Sequence, residues 1–311
     1  MALPAQSGPS LPLLGTSCDR RHFSRTSARL VLTFVAGPSI VVPRPTAADH
    51  ELEEGNAPGE GVRLHYARVG NGPLMVFLHG FPEDWTLYRR YLLEFGQDHL
   101  AVAPNLRGVR PSDRPDEVEA YAMPRLLGDL HALLDHFGRE GCILVANDWG
   151  AYIAWVFASA YPRRVERLVI MNGAHPAVLL REYRTSPAQI AASQYERPAE
   201  RQPAPYRAYL QADPIKVPAS IEEATDRPAP DLAKEFFDGV TQPPATTSLR
   251  VEVPTLVIWG MKDPYQLPGL LEGLDAHVPD LMLLRIEDAG HYPMESHAEQ
   301  VTRAIRGFLQ P

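Results

Sequence analysis

Four short stretches carry residues that can do chemistry together. The first is Ala146-Asn147-Asp148-Trp149-Gly150-Ala151-Tyr152, which directly follows a β-rich apolar run and opens a helix-forming one. A strand that turns abruptly into a helix presents its turn residue at the carboxyl edge of a sheet, and the bend needs small residues two before and two after it. Ala146 and Gly150 meet that need, which leaves Asp148 at the apex, beside a helix N-terminus. There its carboxylate can serve as a nucleophile. The competing reading is an Asp that only caps the helix.

The second stretch is His79-Gly80-Phe81-Pro82-Glu83, at the end of another β-rich run. Gly80 lets the backbone turn where a side chain would clash, and Pro82 fixes the following dihedral. The amides of Phe81 and Trp149 can then bind an oxygen that develops negative charge. The plainer alternative is a strand-to-loop turn with a buried His79. The third and fourth stretches, Trp259-Gly260-Met261-Lys262-Asp263 and Ala289-Gly290-His291, each follow a late apolar run. Nucleophile, acid and histidine in that chain order, each at a strand end, fit Asp148, Asp263 and His291.

The elements that must position these residues follow from periodicity. Short strands are expected at 64–69, 74–78, 100–103, 143–146, 168–171, 255–259 and 282–285, the first two joined as a hairpin through Gly70-Asn71-Gly72. The later strands read as too apolar to face water on either side. Helices are expected at about 87–95, 121–137, 151–159, 267–277 and 298–309. Buried strands separated by helices specify a mainly parallel sheet in an α/β architecture. One stretch, 175–250, breaks that rhythm: it offers no buried strand, and ten of the 31 prolines fall between Pro187 and Pro244. It reads as a lid insertion with helical fragments near 188–195, 206–211 and 231–238. The core is then 50–174 with 251–311.

Composition bounds the rest. With 30 Lys and Arg against 38 Asp and Glu, the net charge is −8 and nucleic acid finds no general electrostatic hold. Two cysteines, Cys18 and Cys142, make neither a disulfide framework nor a cysteine metal site. There is no apolar run of the length a transmembrane helix needs. Residues 1–49 are rich in Pro, Ser and Arg, and up to Ala48 they carry a single acidic residue, Asp19. They read as a disordered leader of a cytoplasmic protein; the alternative is a twin-arginine export signal built on Arg20-Arg21 and cleaved before Asp49.

These motifs resemble the α/β-hydrolase superfamily and, within it, the epoxide hydrolases. The resemblance covers about residues 50–310. It rests on His79-Gly80-Phe81-Pro82-Glu83, Asn105-Leu106-Arg107-Gly108 with Ser112-Asp113, Asn147-Asp148-Trp149-Gly150, Asn172-Gly173-Ala174-His175-Pro176, and the Asp263 and His291 motifs. It implies an α/β-hydrolase fold with a short helical lid, Asp148 as nucleophile, His291 as a base kept neutral, and Asp263 as its orienting acid. Phe81 and Trp149 become the oxyanion amides. A carboxylate nucleophile attacks sp3 carbon and is itself esterified, so a small apolar epoxide and water would give a vicinal diol. No cofactor is needed, and neither a His-Glu-x-x-His motif nor a phosphate-binding glycine loop is present.

The resemblance also implies two lid tyrosines that protonate the epoxide oxygen. Tyr195 matches the first. Tyr206, followed by Arg207-Ala208, resembles the second but lies only eleven positions later, so the lid reads as shortened; Tyr209 and Tyr183 are weaker candidates. Haloalkane dehalogenases share the nucleophile and base but hold a departing halide on an Asn after the His-Gly pair or on a lid Trp. Here Phe81 fills the first place and the lid has no Trp. Asn147, where epoxide hydrolases usually carry His, pulls the other way. A non-catalytic binding protein on the same fold is the third reading. Oligomeric state is not encoded in these motifs.

Overall fold

The computed structural model describes residues 51–81, 83–115, 118–193 and 249–310. Eight strands form one sheet: β1 (Glu53–Pro58), β2 (Arg63–Val69), β3 (Leu74–Leu78), β4 (Leu100–Pro104), β5 (Cys142–Asn147), β6 (Val165–Met171), β7 (Thr255–Gly260) and β8 (Leu281–Ile286). Their spatial order is β1-β2-β4-β3-β5-β6-β7-β8. From β4 onward every pairing is parallel; only β1 with β2 and β2 with β4 are antiparallel.

Helices cover both faces, as a central parallel sheet requires. On one side lie α2 (Met123–His136) and α3 (Asp148–Ala160), whose Leu130, Leu133, Ile153 and Phe157 pack with Val76, Leu144 and Leu168. On the other lie α1 (Arg89–Phe95) and the C-terminal helix, α7 below, whose Leu92, Phe95, Val301 and Ile305 pack with Phe77, Val145 and Ile258. Alternate residues of each buried strand therefore feed opposite cores, the period-two rule of a pleated strand.

Three expectations need correction. The Gly70-Asn71-Gly72 link does not close a hairpin: β2 pairs with β4, and β3 lies beyond β4, parallel to it. The reason is burial, since all five residues of β3 are buried and such a strand needs a neighbour on both sides, which β4 and β5 supply. The tight hairpin is instead β1 with β2, where β1 was hidden by its polar sequence Glu-Glu-Gly-Asn-Ala-Pro. Residues 267–277 form two short 3-10 turns, Pro268–Leu271 and Leu274–Ala276, because Pro268 and the left-handed Gly273 break the helical run. Finally β8 is an edge strand with Met282 about half exposed, so it is not buried on both sides.

After β6 the chain forms α4 (Pro176–Thr185) and α5 (Pro187–Ala192), capped by the side chains of His175 and Ser186. The helical fragments expected near 206–211 and 231–238 lie outside the described residues. After β8 come α6 (Pro293–Ser296) and α7 (Ala298–Leu309). Among the described residues no helix is long and apolar enough to cross a membrane.

Candidate active site

The carboxyl ends of β3, β5, β6, β7 and β8 point the same way, and the loops that leave them carry the chemistry. Asp148 is the first residue of α3 and adopts the left-handed φ of 50°, a strained conformation for a side chain other than Gly. Two close approaches make the bend fit. A Cβ on Gly150 would strike the carbonyls of Leu78 and His79, and one on Gly80 would strike the Asp148 side chain. Both positions must therefore be glycine, and β3 and α3 are drawn together at the apex.

The carboxylate of Asp148 is not spent on capping its own helix. Its Oδ1 accepts the Phe81 amide at 3.0 Å, and its Oδ2 lies 3.2 Å from His291 Nε2. The opposite nitrogen, His291 Nδ1, is 2.6 Å from Asp263 Oδ2. All three side chains are about 95% buried or more. Trp149 follows Asp148 as the second residue of α3, and the Phe81 and Trp149 rings stack at 5.1 Å. The sequence-derived Asp148, Asp263, His291 and Phe81 thus converge, with Trp149 directly adjoining. Tyr195, Tyr206 and Tyr209 lie outside the described residues, whereas Tyr183 sits in α4.

Asp263 is fixed on every side. Its Oδ1 accepts the amides of Tyr265 and Gln266 at 2.8 and 3.0 Å, and its Oδ2 accepts Asn172 Nδ2 at 2.6 Å. Asn172, with φ of 38°, also accepts the Gly260 amide, which ties the end of β6 to β7. Burial works against a charge on His291, but the anions of Asp263 and Asp148 outweigh it and hold its pKa well above the ordinary value. The two carboxylates on either side of the ring thus favour its protonated form. The rings of Tyr265 and Tyr292 both meet it edge-on, at 5.4 and 4.9 Å.

His79 takes no part in this cluster. It is buried, its Nδ1 hydrogen donates to the Gly80 carbonyl at 2.7 Å, and its Nε2 accepts the Leu106 amide at 3.0 Å. It braces the loop that carries Phe81, whose amide donates to Asp148 Oδ1. Asn147 is likewise structural, donating to the Met171 carbonyl at 3.4 Å.

Three neighbours carried no role in the sequence reading. Asn172 and Glu83 stood inside recognised motifs, and Gln266 stood in none. Glu83 is buried, its Oε2 has no hydrogen-bond partner, and burial raises its pKa to about 7 despite a hydrogen bond with Tyr292. Gln266 reaches the nucleophile: Nε2 is 3.5 Å from Asp148 Oδ2, while Oε1 accepts the Ala174 amide at 2.7 Å. Among the described residues, no group of His, Cys, Asp and Glu is arranged to hold a metal ion.

The family model described as alpha/beta hydrolase family matches residues 75–304. Epoxide hydrolase 3 of Mus musculus is 34% identical over 274 residues, 80% of this chain and 74% of its own length. The chain belongs to the alpha/beta hydrolase family, in its epoxide hydrolase branch. This alpha/beta hydrolase also resembles Epoxide hydrolase 1 of Caenorhabditis elegans, 29% identical over 93% of this chain and 79% of that protein. Among solved structures, the Bacillus megaterium epoxide hydrolase in complex with an inhibitor superposes with a TM-score of 0.69 at 29% identity, covering 82% of this chain and 99% of that one. The mainly parallel eight-stranded sheet is the alpha/beta hydrolase fold.

Proposed function

We propose that this alpha/beta hydrolase opens epoxides to vicinal diols through a covalent ester on Asp148. The observation that carries the reading is the division of labour between the two carboxylate oxygens. Oδ1 is held by the Phe81 amide, and Oδ2 faces the imidazole of His291.

In the first half-reaction Oδ2 attacks an epoxide carbon, the ring C–O bond breaks, and the freed oxygen takes a proton from a lid hydroxyl. We assign that role to Tyr195 and Tyr206 within a lid spanning 175–250, on the sequence resemblance. The proton lost by the tyrosine is replaced by the one His291 carries at rest. Esterification removes one of the two anions that hold that proton, so His291 becomes a base only once the substrate is attached. In the second half-reaction His291 takes a proton from water, whose oxygen attacks the Asp148 carbonyl carbon. The oxyanion on Oδ1 lies between the Phe81 and Trp149 amides. Collapse expels Oδ2 with the alkyl group, that oxygen takes up the second water proton, and Asp148 and protonated His291 are restored. Asp263 holds the ring throughout.

Asp148→Asn is expected to abolish diol formation from styrene oxide, by 10⁴-fold or about that. Bromide release from 1,2-dibromoethane without epoxide turnover would favour a dehalogenase instead. Epoxide binding that needs no Asp148, without turnover of any epoxide, would favour a binding protein.

A further inference from the structure

We propose that Gln266 is a catalytic donor to the departing oxygen in the second half-reaction, an inference that rests on the covalent mechanism above. Its side-chain amide is oriented by its surroundings. The Ala174 amide donates to Oε1 at 2.7 Å, so the NH2 end must face Asp148 Oδ2, 3.5 Å away. The Gln266 backbone amide donates to Asp263 Oδ1 at 3.0 Å, which fixes the residue to the acid of the same cluster.

Oδ2 plays opposite parts in the two halves of the reaction. As nucleophile it starts with negative charge and loses it, and a donor there stabilises the starting carboxylate more than the transition state. As leaving oxygen it starts as a nearly neutral ester oxygen and gains charge as the tetrahedral intermediate collapses. A donor on that atom then stabilises the transition state more than the ground state, the condition for catalysis. Phe81 cannot do this, because its amide is on Oδ1. Protonated His291, with Nε2 3.2 Å from Oδ2, can donate to the same atom once it has taken the water proton, and Gln266 is the neutral second donor there, in place before that proton moves. The resting distance of 3.5 Å is long, as donor contacts commonly are before the reacting charge develops.

The test is a single-turnover experiment on the full chain with styrene oxide at pH 8, in which the mass of the Asp148 peptide follows formation and decay of the adduct. In Gln266→Leu, decay is expected to slow by about 10- to 100-fold, while adduct formation is unchanged or faster. The adduct then accumulates, and kcat and KM fall together. Gln266→Glu separates this role from a structural one. Its carboxyl keeps an acceptor for the Ala174 amide and has a hydrogen to donate only while protonated, so decay in Gln266→Glu is expected to slow as the pH is raised from 7 to 9, whereas wild-type decay is not. Decay in Gln266→Glu that slows in this way supports the proposal even where Gln266→Leu fails to fold. Wild-type decay in Gln266→Glu across that range, or unchanged decay in Gln266→Leu, overturns it. Wild-type protein that forms neither adduct nor diol with any epoxide overturns the covalent mechanism itself, and is distinguishable because no variant is then needed.

Discussion

At the residue scale the site is a line of ionisable groups whose charges depend on one another. Asp263, His291 and Asp148 form a carboxylate, imidazole, carboxylate series, and the two carboxylates push the pKa of the imidazole up against the effect of burial. Glu83 adds a fourth group under strain, because ionising it leaves a buried charge with one unpartnered oxygen close to Asp148. Its pKa is raised from 4.5 to about 7, so the folded protein binds a proton there that the unfolded chain does not. Stability from this group is therefore greatest below about pH 4.5 and is lost as pH rises through 7. Glu83→Gln mimics the protonated form. It is expected to stabilise the protein at pH 8 by up to about 3 kcal/mol and to change little near pH 4, read from denaturant melts at both pH values. Equal stability of the two proteins at pH 8 would show that Glu83 ionises without cost.

The convergence of these side chains was largely legible in the sequence. Asp148, Asp263, His291 and Phe81 sit at strand ends, where the pattern of apolar runs fixes both position and direction. Gln266 was not, since a Gln three residues after an acid has no signature, and only the fold brings it to Asp148. Nor was the raised pKa of His291, which depends on its distances to two carboxylates from other loops.

At the element scale, the bend between β5 and α3 depends on what surrounds it, and the stretches after β6 and before β7 are tied together by His175. Its ring caps α4 by accepting the Ala177 amide, and its other nitrogen donates to the Leu249 carbonyl at 2.7 Å, so the N-terminus of α4 is held to the chain that leads into β7. Trp155 packs edge-on against the ring and His277 stacks on it at 4.8 Å. Burial, with repulsion from His277, depresses the His175 pKa to about 3. A depressed pKa gives stability that is present above the ordinary 6.5 and is lost as pH falls toward 3. His175→Phe fills the space but makes neither hydrogen bond. A loss of about 1–3 kcal/mol is expected at pH 7, shrinking as the pH falls to 4, with circular dichroism melts as the measure. A pH-independent difference would contradict this account. Periodicity located most strands but not their partners. The β2–β3 hairpin failed because local turn chemistry does not choose between neighbours, and β1 was missed because half-exposed polar strands carry little apolar signal.

At the scale of the whole molecule, a mainly parallel sheet collects the loops after β3, β5, β6, β7 and β8 at one edge. That plan was legible because continuous apolar runs separated by helical ones admit few other topologies. The roles proposed for Tyr195 and Tyr206 were not, since proline-rich segments carry no period from which to place their side chains. The central claim is that Asp148 becomes covalently attached to substrate and that His291 releases it. The direct measurement is the mass of the Asp148-containing peptide after His291→Gln protein is incubated with styrene oxide. A stable gain equal to one epoxide, absent in the Asp148→Asn His291→Gln double variant, is the expected result. An unmodified Asp148 in a His291→Gln protein that still makes diol would contradict the mechanism.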